Sequence, residues 1–227
     1  MLRQSSITII LLLASLCARS FATESTDSPD SFDGWEPVYS IPHSAPEKGD
    51  ATITLIEPNT ELMILGKSEI SHHAICKFIR QNNPDFSEEI AKAYIKLGET
   101  YGIRGDIALC QAIIETGWFK FADGTAVTID QHNYCGLGVT RRGVKGASFD
   151  TIEDGVRAHL QHLFAYASTS PIPKGEKLLD PRFTLVMRGV ARTWDDLSNR
   201  WAMNPNYGKQ IYDLYQRLLQ HTNLTEK

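Results

Sequence analysis

The sequence predicts a mainly α-helical domain with a small glycine-rich loop or β-lobe, preceded by an irregular N-terminal extension. Three observations carry this. Apolar residues recur at helical spacing in successive stretches after Gly66, and glycines at 136, 138, 143 and 146 interrupt them. Prolines at 37, 42, 46 and 58 break the preceding stretch into short pieces. With 227 residues and 42% hydrophobic content, the chain can fill one core of ordinary size and carry an extension. Its 22% charged and 9% aromatic residues include no run of single-sign charge, so no nucleic-acid partner is expected.

Taken in order, Arg3 precedes an apolar run from Ile7 to Leu16 that is shorter than the ~20 residues needed to span a bilayer. Ser20 and Ala22 bracket Phe21 as a small-x-small cleavage site, so residues 1–22 read as a signal peptide. A lipid-modified Cys17 is the rival, opposed by the bulky Leu16 before it. The expected location is outside the cytoplasm: secreted, periplasmic or in the cell wall, with no stable membrane insertion after cleavage. Cleavage removes Arg3 and Arg19 and no acid, leaving 21 basic against 27 acidic residues, a net charge near −6. That argues against wall binding through a broad cationic surface. Cys76, Cys110 and Cys135 remain, and their pairing is open: one disulfide with a free thiol, or three buried thiols.

Residues 23–34 are Ser, Thr, Asp and Glu with few apolar side chains, a flexible acidic tether. Residues 35–65 form an irregular extension, with Thr52-Ile53-Thr54-Leu55 alternating as a short strand would. The domain proper spans 66–221. Ser71 caps a helix carrying Ile75, Phe78 and Ile79, which stops at Asn82-Asn83-Pro84. Ser87 or Asp85 caps the next, whose inward face is Ile90, Tyr94, Leu97 and Tyr101 before Gly102 ends it. Further helices are expected over 151–167 and 206–220, with a shorter one carrying Phe183, Val186, Met187 and Val190. There is no internal repeat, and a monomer is expected.

The stretch Asp106-Ile-Ala-Leu-Cys-Gln-Ala-Ile-Ile-Glu115 is apolar around the whole helical circumference from Ile107 on, except at Gln111 and Glu115. Such a helix is buried, and its two polar members share one face, one turn apart. An unpaired carboxyl at the end of an apolar helix holds its proton to higher pH, which suits a general acid. The bland reading is a structural acid paired with Arg104 or Arg157, or capping a loop amide. Trp118, just beyond the helix, is an aromatic on which a sugar ring could stack.

Residues 106–118, followed by Gln131-His-Asn-Tyr-Cys-Gly-Leu-Gly138, resemble the glucosaminidase domain of glycoside hydrolase family 73. The resemblance continues through Ser148-Phe149, the helix 155–167, Asp180-Pro-Arg-Phe183 and Asn204-Pro-Asn-Tyr-Gly-Lys-Gln-Ile211, covering about two thirds of the chain. It implies a lysozyme-like α+β helical fold and hydrolysis of the β-1,4 bond after N-acetylglucosamine in peptidoglycan. The family's acid falls on Glu115 and its tyrosine before the last helix on Tyr207. Its Asn-x-x-Gly turn falls on Asn133 and Gly136 with Tyr134 between them, and Gln111 and Trp118 join these as substrate-binding candidates. No cofactor and no metal are implied; the expected partner is the peptidoglycan glycan strand.

Many members carry a second carboxylate after the Asn-x-x-Gly turn, but Val139–Ala147 contains no acid here. That favours attack by the substrate's own acetamido oxygen over a distant carboxylate base. Arg141 and Arg142 could meet muramyl or stem-peptide carboxylates. Two other readings stand beside a muramidase on a similar fold. One is a catalytically silent wall-binding module; the other is a thiol peptidase using Cys135 with His132 or His159. His159 and His162, three apart, read as ordinary helix-face histidines rather than metal ligands.

Overall fold

The computed structural model describes residues 62–122, 125–140 and 144–225. The signal peptide, the tether, the extension as far as residue 61 with its expected strand, and Arg141 with Arg142 lie outside the described residues. Five α-helices make the domain: α1 (His72–Arg80), α2 (Glu88–Tyr101), α3 (Gly105–Thr116), α4 (Ile152–Ala167) and α5 (Tyr207–Thr225). Single 3-10 turns at Ile129–Gln131 and Asp195–Leu197 complete it. Among the described residues pairing between extended segments is limited to isolated bridges, so the described part of the glycine-rich region is a loop. No described helix is long and apolar enough to cross a membrane.

The boundaries follow from local chemistry. Ser71, Ser87 and Thr151 are extended N-caps whose hydroxyls accept from Ala74, Glu89 and Asp154 backbone N–H groups. Gly102 closes α2 in the left-handed region at φ 65°, as a C-terminal glycine should. The expected short helix around Phe183–Val190 does not form. Its segment is a series of turns in which Gly189 and Ala191 donate to Ala165 and Tyr166 carbonyls at the end of α4. Phe183 and Val186 are buried as expected, but Met187 is exposed, because the backbone is satisfied by α4 rather than by its own next turn.

Residues 62–65 are built into the domain wall. Met63 bridges Thr193, Leu65 bridges Ile103, and Ile64 is fully buried. α2 packs on α4, α3 and α1, while α5 packs on α3 and α1. Held between α2 and α5, α3 buries all twelve of its residues. Cys76, Cys110 and Cys135 are three buried free thiols.

One glycine sets how α4 docks. A Cβ on Gly155 would sit 1.8 Å from the His132 carbonyl oxygen, backbone against backbone, so α4 can lie on the 132–136 turn only because that atom is missing. Gly155→Ala is therefore expected to destabilise the fold by about 1–3 kcal/mol or more despite alanine's better helix propensity. Urea denaturation would show it as a lowered midpoint.

Candidate active site

Helix α3 is clamped at both ends. At its start, Arg104 forms a two-pronged pair with the fully buried Asp106 (3.1 and 3.0 Å) and reaches Glu69 at 3.0 Å. Asp106 also accepts from the backbone N–H groups of Glu69 (2.8 Å) and Ile107 (3.0 Å), so its lone pairs are filled. Gly105 lets this end press against α2, since a Cβ there would lie 2.2 Å from the Tyr94 carbonyl oxygen. At its finish, Gly117 turns left-handed and Trp118, Phe119 and Phe121 follow with φ of 62°, 58° and 47°. Positive φ is rare for aromatic residues, and such strained backbone clusters at functional sites. It is held by Thr116, whose hydroxyl accepts from Phe119 N–H at 2.9 Å, and by the Asn83 amide on the Trp118 and Phe119 carbonyls.

Between the clamps lies Glu115, 3% exposed. Burial pushes its carboxyl up from an ordinary 4.5 to about 7, opposed by the Tyr207 phenol and then by the Trp201 indole. The indole N–H is itself buried without a partner of full hydrogen-bond geometry, so the phenol is the donor that counts. Among the described residues no guanidinium reaches the carboxyl. Arg104 is occupied by Asp106 and Glu69, and Arg157 by Glu153 and Glu176, so the bland pairing is not found.

The Tyr207 hydroxyl donates to Glu115 Oε1 and receives from Gln111 Nε2 at 2.9 Å. Gln111 Oε1 meets His159 Nε2 at 3.0 Å, and His159 Nδ1 meets the Tyr94 hydroxyl at 2.7 Å. Burial drives the His159 imidazole down to about 3, leaving it neutral. Four helices thus contribute to one line of hydrogen bonds ending on the carboxyl. Gln111 and His159 are fully buried within it, and neither is an exposed helix-face residue.

Asn133, also fully buried, ties the following turn: its amide donates to the Leu137 (2.9 Å) and Ala147 (3.0 Å) carbonyls and its oxygen accepts from Leu137 N–H (2.9 Å). Gly136 takes φ 66° with open space where a Cβ would be, so it is the left-handed conformation that asks for glycine. Tyr134 is buried against Tyr94, Phe119 and Phe121, and lines a recess of about 430 Å³ with Phe119, Phe121 and His132. That recess does not include Glu115. Trp118 stands apart, its ring on Phe78 (5.4 Å between centroids) and beneath the Arg217 guanidinium (5.8 Å).

The structure brings Gln111, Glu115 and Tyr207 into direct contact and gathers Asn133, Tyr134 and Gly136 in an adjoining turn, with Tyr94 packed on Tyr134 and linked to Gln111 through His159. Sequence reasoning did not place Tyr94, His159 or Trp201 beside Glu115, His159 being named only as a rival thiol base or a helix-face residue. The available signal for His159 was an ionisable residue on a helix whose flanking residues, Ala158, Leu160 and Leu163, are all apolar. Cys135 offers no thiolate, since burial and the Glu115 charge hold its thiol well above the ordinary value, and both His159 nitrogens are engaged elsewhere. His162 pairs with Asp180 at 2.9 Å, and no group of three or more His, Cys, Asp or Glu among the described residues could hold a metal ion.

Residues 91–220, which include every member of this arrangement, match the glucosaminidase family, described as mannosyl-glycoprotein endo-beta-N-acetylglucosaminidase. The chain belongs to the glucosaminidase family. It is a glycoside hydrolase of the endo-β-N-acetylglucosaminidase type, and its substrate is a glycan. This glucosaminidase is also 34% identical over 187 residues to an "Uncharacterized protein" of Borreliella burgdorferi, an alignment spanning 78% of this chain and 90% of that one. No solved structure matches it.

Proposed function

We propose that this glucosaminidase is exported and cuts the β-1,4 bond after N-acetylglucosamine in peptidoglycan, with Glu115 as general acid and then general base. The observation carrying this is a carboxyl raised to about 7 by burial, held by a phenol donor and without a cation on it among the described residues. Such a group is protonated below neutrality and a good base just above it, the range in which both halves of the reaction run.

In the first step the Glu115 proton passes to the glycosidic oxygen as the C1–O bond breaks, and the substrate's acetamido oxygen bonds to C1. In the second, Glu115, now a carboxylate, takes a proton from water as the water oxygen attacks C1 and the acetamido oxygen departs. Substrate assistance is favoured because the loop after the Asn133 turn has no acid, and the groups acting on Glu115 include no second carboxylate. Two displacements at C1 retain its configuration, and NMR of the first-formed product reads this directly; inversion would require a carboxylate base instead. Mass spectrometry of fragments released from purified wall identifies the bond. A reducing N-acetylglucosamine supports the reading, and a reducing muramic acid makes the enzyme a muramidase.

The acid limb of the reaction needs Glu115 protonated, so kcat/KM is expected to fall tenfold per pH unit above about 7. A stopped reducing-end assay across pH 5–9, on the order of half-unit steps, checks this. A rate that keeps rising through that range would exclude a carboxyl with this titration as the essential acid.

A further inference from the structure

With Glu115 ionised and the Gln111 amide nitrogen facing Tyr207, the line from Tyr94 to Glu115 runs in one direction. Tyr207 has a single hydroxyl hydrogen and spends it on Glu115 Oε1, so its oxygen must receive, and the Gln111 amide nitrogen faces it. The amide oxygen of Gln111 therefore faces His159, and as a pure acceptor it requires a hydrogen on Nε2. A neutral imidazole then has no hydrogen on Nδ1, which accepts from the Tyr94 hydroxyl. Every donor points toward the carboxyl. With the carboxylate at the end of the line, reversing any one bond would set two acceptors or two donors face to face in a dry interior, where an unsatisfied polar group is costly.

With Oε1 already receiving from Tyr207, a proton on Glu115 has no acceptor there and must reside on Oε2. We propose that His159 is a positioning residue: through Gln111 and Tyr207 it keeps Tyr207 a donor, and so holds the transferable proton of Glu115 on Oε2. This rests on Glu115 being the general acid. The titratable groups near the carboxyl are Tyr207 on α5, Tyr94 on α2 and Cys135 in the turn, all neutral near pH 7, and none of them carries a competing positive charge. His159, neutral as well, acts by orientation alone.

Removing the Nε2 hydrogen leaves the Gln111 amide free to rotate and the phenol without its donor, so the phenol stabilises the carboxylate less. The test uses the full chain as wild type, His159→Leu, His159→Gln, Tyr94→Phe and Glu115→Gln. In H159L, kcat on soluble uncross-linked peptidoglycan strands falls about tenfold with KM nearly unchanged, and the alkaline limb moves up by about half a pH unit or more. H159Q restores both, because its amide N–H can stand in for Nε2–H. The same movement is read without substrate by ¹³C NMR of carboxyl-labelled glutamate, the Glu115 signal being assigned by its loss in E115Q.

A structural role for His159 would lower the folded fraction and leave the Glu115 titration where it was. That unmoved titration in folded H159L overturns the proposal. Should H159L fail to fold, Y94F, which loses one hydroxyl and with it the tautomer lock, decides on the same NMR signal: a raised titration supports, an unchanged one refutes. Failure of the acid assignment looks different, namely E115Q still releasing reducing ends.

Discussion

Glu115→Gln is expected to lower turnover on peptidoglycan by roughly 100- to 10,000-fold while leaving strand binding nearly intact, because glutamine keeps the acceptor for Tyr207 and loses only the proton. The same substitution is expected to stabilise the fold above neutrality. Folded Glu115 releases its proton near 7 and the unfolded chain near 4.5, so between those values the folded state binds more protons and stability falls as pH rises. Above 7 the full cost of the buried charge, about 3 kcal/mol, stands against wild type. E115Q escapes it, so its melting temperature should exceed that of wild type at pH 8 and the two should converge by pH 4. His159 works from the other side: its folded value near 3 lies below the unfolded 6.5, so its contribution is present above 6.5 and lost as pH falls toward 3. An active, inert pair differing this way identifies a site that trades stability for chemistry; equal melting curves at pH 8 would mean the carboxyl is better solvated than its burial implies.

The second large effect lies eleven residues before the acid, at the N-cap of the same helix. Arg104→Met should destabilise by about 3–5 kcal/mol, since it strands the fully buried Asp106 carboxylate without its cation. The double variant Arg104→Met with Asp106→Leu should recover much of that loss, because removing both charges removes the desolvation penalty with them. Chemical denaturation of the two variants measures both numbers. Activity in the single variant should fall with the folded fraction and its pH profile should keep its shape, since Arg104 contacts neither Glu115 nor Tyr207.

Helices α1 to α5 were legible because their caps and apolar spacings are local: Ser71, Ser87 and Gly102 act within a turn of their own position. The 180–190 segment misled because Phe183, Val186 and Val190 have helical spacing yet pack as turns, their backbone partners lying on α4. Glu115 with Gln111 was visible as two polar residues on a greasy helix. The phenol arrived only through resemblance, being 92 positions away. The bond between His159, read only as a rival base or a helix-face residue, and Tyr94, read only as an inward-facing one, was not legible across 65 positions, as no sequence period records a hydrogen bond between different helices.

That the phenol stands at the head of the last helix has a bearing on when the enzyme can become dangerous. A nascent or clipped product ending before Tyr207 retains Glu115 but has no partner for it, and α3 lacks the α5 wall that shuts out water. Under the proposed role of Glu115, competence therefore arrives only after nearly the whole described chain has been made and folded, and shorter fragments are inactive on any glycan.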